Sequence, residues 1–288
     1  MLKFQQTDPT IFQESAQRAH RHPPDGACSV DWPPMQPVVL LHGLIGPFAD
    51  ERAVTHLRPA VVLSPDLLGY GLEADVDPDG ITIDAQVEYV RTILDKEAPT
   101  TCVHLVGHSV GGVIAASFAH RYPDRVDSFV NVEGNFTLAD AFWSAQVSTK
   151  TPAQVNAMLE ADRADPARWL RESGVTPTDD RLRSAAEALA YQPASTIQAT
   201  ARTVVEHTGL PSYEQLLHEV FERTPVHLVA GVRSRAGWNV PEWAVAAAAS
   251  YTEVPDTGHM VMLETPDSFG KVLAELIAAP RRNNAAPH

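Results

Sequence analysis

VHLVGHSVGGVIAASFAHRYP, residues 103–123, joins a short β-branched run to an Ala-rich segment through a glycine-rich turn, and Pro123 closes it. That order predicts strand, tight turn and helix, because glycines permit a sharp reversal and a proline ends a helix. Within the turn, Gly107, His108, Ser109, Val110 and Gly111 spell G-x-S-x-G. A serine on such a turn sits in strained backbone geometry, at the carboxyl end of the sheet and beside a helix N-terminus that favours developing negative charge. Ser109 is therefore the candidate nucleophile. A purely structural turn is the alternative, since glycines surround serines in many loops.

Outward from this unit, PVVLLHGLIG (37–46) and AVVLSPDLLGYG (60–71) read as fully buried parallel strands leading into loops. VDSFVNVEG (126–134), TPVHLVAGV (224–232) and SYTEVPDTGH (250–259) supply three more strands. IDAQVEYVRTILDKEA (83–98) places Val87, Val90, Ile93 and Leu94 at helical spacing. Strands alternating with helices predict an α/β fold, a mostly parallel sheet covered on both faces. Between 136 and 222 no strand-like run occurs, and AFWSAQV, PAQVNAMLEA, PARWLRE, DRLRSAAEALAY and STIQATARTVVEHT all favour helix. The expected organisation is an N-terminal extension (1–36), a core (37–135 and 223–279), a helical insertion (136–222) and a frayed tail (280–288).

The 288 residues, 44% of them hydrophobic, suffice for one large core. A formal net charge of −14 opposes attraction to phosphate backbones and anionic lipids, which argues against nucleic acid and membrane as partners. The first residues lack the apolar region of a signal peptide, and no segment approaches a membrane span, so a cytoplasmic location is expected. Cys28 and Cys102 are read as structural, and the HRH pair His20 and His22 as solvated surface. No CxxC, HExxH or G-x-G-x-x-G is present, so neither a metal nor a dinucleotide cofactor is expected.

With LLHG at 40–43, SPDLLGYG at 64–71 and VPDTGHMVMLETPDSF at 254–269 joining the serine turn in this order, the chain resembles the α/β-hydrolase family. The likeness spans roughly 37–135 and 223–279; the insertion resembles the family's cap only in position and helical character. The resemblance implies a Ser-acid-His order, with His259 as the base that takes the Ser109 proton and later returns it. It also implies an oxyanion hole formed by the backbone N–H groups of Leu44 and Val110. His42 is expected to be structural, His108 to point away from the nucleophile, His104 and His227 to be core residues, and Asp66 to anchor its loop.

In most of the family an Asp follows the strand that here reads VHLVAGV, yet Gly231 is followed by Val, Arg, Ser, Arg and Ala. Glu133 ends the preceding strand at the same sheet edge as Ser109 and is the candidate acid. A subgroup that includes haloalkane dehalogenases and zearalenone-type lactonases places its acid at that strand end, and of these the lactonases share a serine nucleophile. The competing roles for Glu133 are capping the next helix or pairing with Arg125. Asp256 and Glu242 are the other candidate acids, Asp256 being read rather as a turn former. Trp143, close after Glu133, is the candidate pocket wall, while Phe142, Trp169 and Tyr191 are read chiefly as packing between cap helices. The expected activity is hydrolysis of a small hydrophobic ester or lactone, plausibly a bulky aryl macrolactone of zearalenone type. C–C bond hydrolysis, cofactor-free oxygen chemistry and a slow-turnover ligand receptor are the alternatives on the same fold.

Overall fold

Six apolar runs become strands: β1 (Val38–Leu41), β2 (Val62–Leu63), β3 (Val103–His108), β4 (Val126–Val132), β5 (Val226–Gly231) and β6 (Ser250–Val254). The structure is a computed structural model that describes residues 35–278. Nearly all of the expected extension, with His20, His22 and Cys28, and the whole expected tail lie outside the described residues. All neighbouring strands pair in parallel, in the order β2-β1-β3-β4-β5-β6. Leu41 lies opposite Gly107, His108 opposite Val132, and Val132 opposite Val229, so the loops after β1, β3, β4 and β5 leave one edge side by side. The order reverses between β1 and β3, and that switch point opens a crevice at the carboxyl ends of the strands.

Strand side chains alternate between two apolar layers. Val39, Leu41, Leu105 and Phe129 pack with helices α2 (Ile83–Glu97) and α3 (Val110–Arg121). Val38, Leu40, Val106 and Val130 pack with α1 (Glu51–Val54) and, later in the chain, the C-terminal helix Pro266–Ala278. Helix α2 starts at Thr82, whose hydroxyl accepts the Ala85 N–H at 3.0 Å, and buries Val87, Val90 and Leu94, with Ile93 half-buried. The parallel sheet is thus covered on both faces, as expected. The second strand differs: β2 is two residues long, half-buried, and lies at the sheet edge with β1 as its one strand partner. Its apolar run predicts a fully buried strand, but an edge position leaves it less covered.

Between β4 and β5 lie α4 (Phe142–Ser148), α5 (Pro152–Ala164), α6 (Pro166–Glu172), α7 (Asp179–Ala190), α8 (Ala194–Thr208) and α9 (Pro211–Arg223). The first five match the helix-favouring segments. Helix α9 was not among them, although Pro211 opens it and Tyr213, Leu217 and Val220 form its buried face; it packs against α3. After β5 come α10 (Glu242–Ala247), α11 (Val261–Glu264) and α12, the helix Pro266–Ala278. No helix among the described residues is long and apolar enough to cross a membrane.

Candidate active site

Ser109 sits between β3 and α3 with φ 52° and ψ −119°, a conformation that costs free energy for a residue with a side chain. The motif's glycines allow it. A Cβ on Gly107 would strike the Gly111 carbonyl, and one on Gly111 would strike the Leu41 carbonyl. The turn is pinned by the Ser109 N–H, which donates to the Val132 carbonyl at 3.0 Å. The loop after β1 runs beside it, close enough that a Cβ on Gly43 would lie 3.3 Å from the Ser109 Cβ. Leu44, buried in that loop, and Val110, first residue of α3, therefore flank Ser109. The Val110 N–H is one of the helix-start donors that have no partner within the helix.

Glu133 follows β4 with φ 46°, and its carboxylate is buried at 4% side-chain exposure. Its Oε2 accepts from His259 Nδ1 at 2.8 Å, while Oε1 accepts from the Gly231 N–H at 2.8 Å and from the Ser234 hydroxyl. Burial pushes the carboxyl's pKa up, but the His259 hydrogen bond and charge, with the Ser234 and Gly231 donors, outweigh it and hold the group below its ordinary value. The competing roles are absent: Arg125 bonds Asp95 and the carbonyls of Leu94 and Ala98, and Glu133 caps no helix. Asp256, at φ 59°, offers its backbone carbonyl to Arg233, and Glu242 is exposed at the start of α10.

Other groups hold the imidazole's loop. The Glu264 carboxylate accepts the Gly258 N–H at 2.7 Å and pairs with Arg233 at 2.5 Å. Arg233 also bonds the carbonyls of Asp256 and, at 3.0 Å, Gly174. His108 donates Nε2–H to the His259 carbonyl at 2.9 Å and stacks on Phe48. His42 donates Nδ1–H to the Gly43 carbonyl at 2.8 Å, and its buried Nε2 has no partner among the described residues. Burial holds His42 down to about 4 and His108 well below its ordinary value, so both are neutral, structural imidazoles. His104 and His227 bond the hydroxyls of Ser128 and Ser250 in the core, and Asp66 anchors its loop through the Leu72 N–H and the Tyr191 hydroxyl.

Ser109, Glu133, His259 and Leu44 line one cavity of about 410 Å³. Trp143, Phe142 and Trp169 line it; Tyr191 packs instead against His42. Trp238, Met260, Asn135, Ser144 and Ser234 also line it and went unread in the sequence. No Lys or Arg is among the lining residues, whereas Glu133, Asp140 and Glu172 are. Among the described residues no cluster of three or more His, Cys, Asp or Glu could hold a metal ion.

Fold and site together define a class: an α/β protein presenting a strained serine and a histidine–carboxylate pair at the carboxyl edge of a parallel sheet. The chain belongs to the alpha/beta hydrolase family, whose profile matches residues 38–272. Over 113 residues it is 28% identical to Lipase 3 of Moraxella sp. (strain TA144), covering 39% of this chain and 34% of the lipase. Over 142 residues it is 34% identical to 2-hydroxy-6-oxo-2,4-heptadienoate hydrolase of Pseudomonas putida, 44% of this chain and 50% of that enzyme. The chain thus matches half or less of the length of these relatives. Among solved structures, MenH from S. aureus superposes with a TM-score of 0.66 at 17% identity, covering 86% of this chain and 95% of its own. An esterase from Thermogutta terrifontis gives 0.62 at 20% identity, covering 84% and 89%. At these identities the structural likeness speaks to the fold.

Proposed function

We propose that the protein is a cofactor-independent serine hydrolase of carboxylic esters or lactones. Ser109 attacks the carbonyl while His259 takes its proton; Glu133 holds the imidazole in the tautomer whose Nε2 is free and stabilises the imidazolium that forms. The amides of Leu44 and Val110 bind the oxyanion, an interaction worth about 10²–10³ in rate per donor. His259 then protonates the leaving alkoxide, and water, deprotonated by the same imidazole, releases the acid from the acyl-enzyme. In a lactone the leaving alcohol stays part of the product. The observation that carries this reading is the hydrogen bond from His259 to the buried Glu133, beside the cavity that also holds the strained Ser109.

A cavity of about 410 Å³ walled by Trp143, Trp169 and Trp238 suits a neutral, hydrophobic substrate with an aromatic ring. The acid's seat after β4, as in zearalenone-type lactonases, favours a bulky aryl lactone by analogy. Residues 136–222 act as the cap over Ser109, and a cytoplasmic small molecule, rather than nucleic acid or membrane, is the partner. C–C bond hydrolysis is the second reading, favoured by the similarity to the heptadienoate hydrolase. That relative's substrate is a carboxylate by name, and here three carboxylates and no Lys or Arg line the cavity, which disfavours an anion.

The test is mass-spectrometric product analysis with initial rates over short-chain esters, small lactones, aryl macrolactones and vinylogous diketones, with Ser109→Ala as the blank. Ester or lactone opening that vanishes in the blank is expected. Turnover of the diketones alone, or of nothing, overturns the reading; hormone-like lactones bound with few turnovers per chain would favour a receptor.

A further inference from the structure

We infer that Asn135 and Ser144 form a polar subsite for an uncharged hydroxyl or carbonyl on the acyl part of the substrate, away from the bond that is cleaved. The inference rests on the ester and lactone reading of the same cavity and narrows its substrate class to oxygenated acyl groups.

Both residues line the cavity that holds Ser109 and His259, and both are more than nine-tenths buried, at 5% and 6% exposure. Neither side chain has a hydrogen-bond partner among the described residues, although other polar groups of the cavity do. Ser234 is engaged by Glu133, and Asp140 by the backbone amides of Phe136, Thr137 and Asn239. The Asn135 side chain is not spent on holding its loop either. That loop is fixed by its backbone: the Tyr213 hydroxyl donates to the Asn135 carbonyl at 2.7 Å, Trp238 Nε1–H to the Gly134 carbonyl at 2.9 Å, and the Gly134 N–H to Asn131 Oδ1 at 2.7 Å.

The unpaired amide and hydroxyl open onto the cavity, and a substrate that covers them without pairing them costs free energy, so they favour one that brings a hydrogen-bond partner. Asn135 and Ser144 share the cavity with Trp143, Trp169 and Trp238, and a mostly apolar cleft with a few placed polar groups is how orientation is fixed in small-molecule sites. The amide carries donors and an acceptor and the hydroxyl carries both, which matches a neutral hydroxyl or carbonyl. An anion would face Glu133, Asp140 and Glu172, with no Lys or Arg among the lining residues. A site built this way discriminates strongly against an analogue that lacks the group, because its own polar atoms are then stranded.

The experiment compares p-nitrophenyl 3-phenylpropanoate with its three ring-hydroxylated isomers, in the wild type, Asn135→Leu, Ser144→Ala and the double variant. At least one hydroxylated isomer is expected to be preferred by about tenfold or more in kcat/KM. That ratio is expected to collapse toward one in Asn135→Leu and to fall partway in Ser144→Ala, while the melting temperature of Asn135→Leu holds or rises, since an unpaired buried amide gives way to an apolar group of similar size. Absence of any preference in the wild type, or a preference that survives in the double variant, overturns the subsite. Should no ester turn over, the hydrolase reading fails separately, and calorimetric binding of the same four esters to Ser109→Ala still decides: tenfold tighter binding of a hydroxylated isomer that Asn135→Leu abolishes supports the subsite, and equal binding refutes it.

Discussion

Strands β4 and β5 lie side by side and end at one edge, yet they bring opposite chemistry to it. After β4 stands an acceptor, the Glu133 carboxylate; after β5 stand two donors, the Gly231 N–H and the Ser234 hydroxyl, both aimed at Glu133 Oε1. The position where most of the family carries its acid here supplies a hydrogen bond to an acid seated one strand away. What matters to the imidazole is a buried acceptor within reach of Nδ1, and either strand end can provide it if the other provides donors that keep the carboxylate ionised.

The sharpest way to break this comparison is to remove the acceptor. Glu133→Gln should lower kcat by about 10³–10⁴ with little change in KM, because the amide stabilises the wrong tautomer and no imidazolium. A second contrast is between His259, which has a carboxylate, and His42, which is buried without one. Native His42 stays neutral down to about 4, whereas the unfolded chain's imidazole takes up a proton near the ordinary 6.5. Stability should therefore be full above the unfolded value and fall by about 3 kcal/mol as pH drops from 6.5 toward 4. Urea unfolding across that range should show the slope, and His42→Gln should reduce it while His108, held down by the same burial, keeps part of it.

Moving the acceptor sharpens the comparison further. In the Glu133→Gln background, Ser234→Asp should restore activity by about tenfold or more, since the new carboxylate stands where the β5 end already faces the pair. Ser234→Ala alone should have the smallest effect, about three- to tenfold in kcat/KM, the loss of one hydrogen bond to a charged group. It should also raise the pKa of Glu133, because a donor that favours the ionised form is gone, a shift that an NMR titration of the carboxyl carbon reads.

The serine turn, the parallel order and the place of a carboxylate at the end of β4, which we propose as the acid, were legible because each is written locally: a β-branched run, a glycine-spaced serine, a charge after an apolar strand. Ser234 was not, since its meaning depends on Glu133, 101 positions away in the chain, and VRSRA has no periodicity to mark it. Arg233 and Glu264 were missed for the same reason: they grip the His259 loop across separate segments. Trp238 lies in the irregular stretch after β5, where nothing in the sequence distinguishes a cavity wall from a surface tryptophan. The burial of β2 was misjudged because an apolar run does not say whether its strand is central or at an edge.

The most direct measurement is kcat/KM of Glu133→Gln, Asp256→Asn and Glu242→Gln side by side, on whichever ester or lactone the wild type turns over fastest. The account predicts a loss of about a thousandfold or more for Glu133→Gln and values within about threefold of wild type for the other two. A Glu133→Gln enzyme that keeps more than a tenth of its activity, or an equal loss in Asp256→Asn or Glu242→Gln, would contradict it.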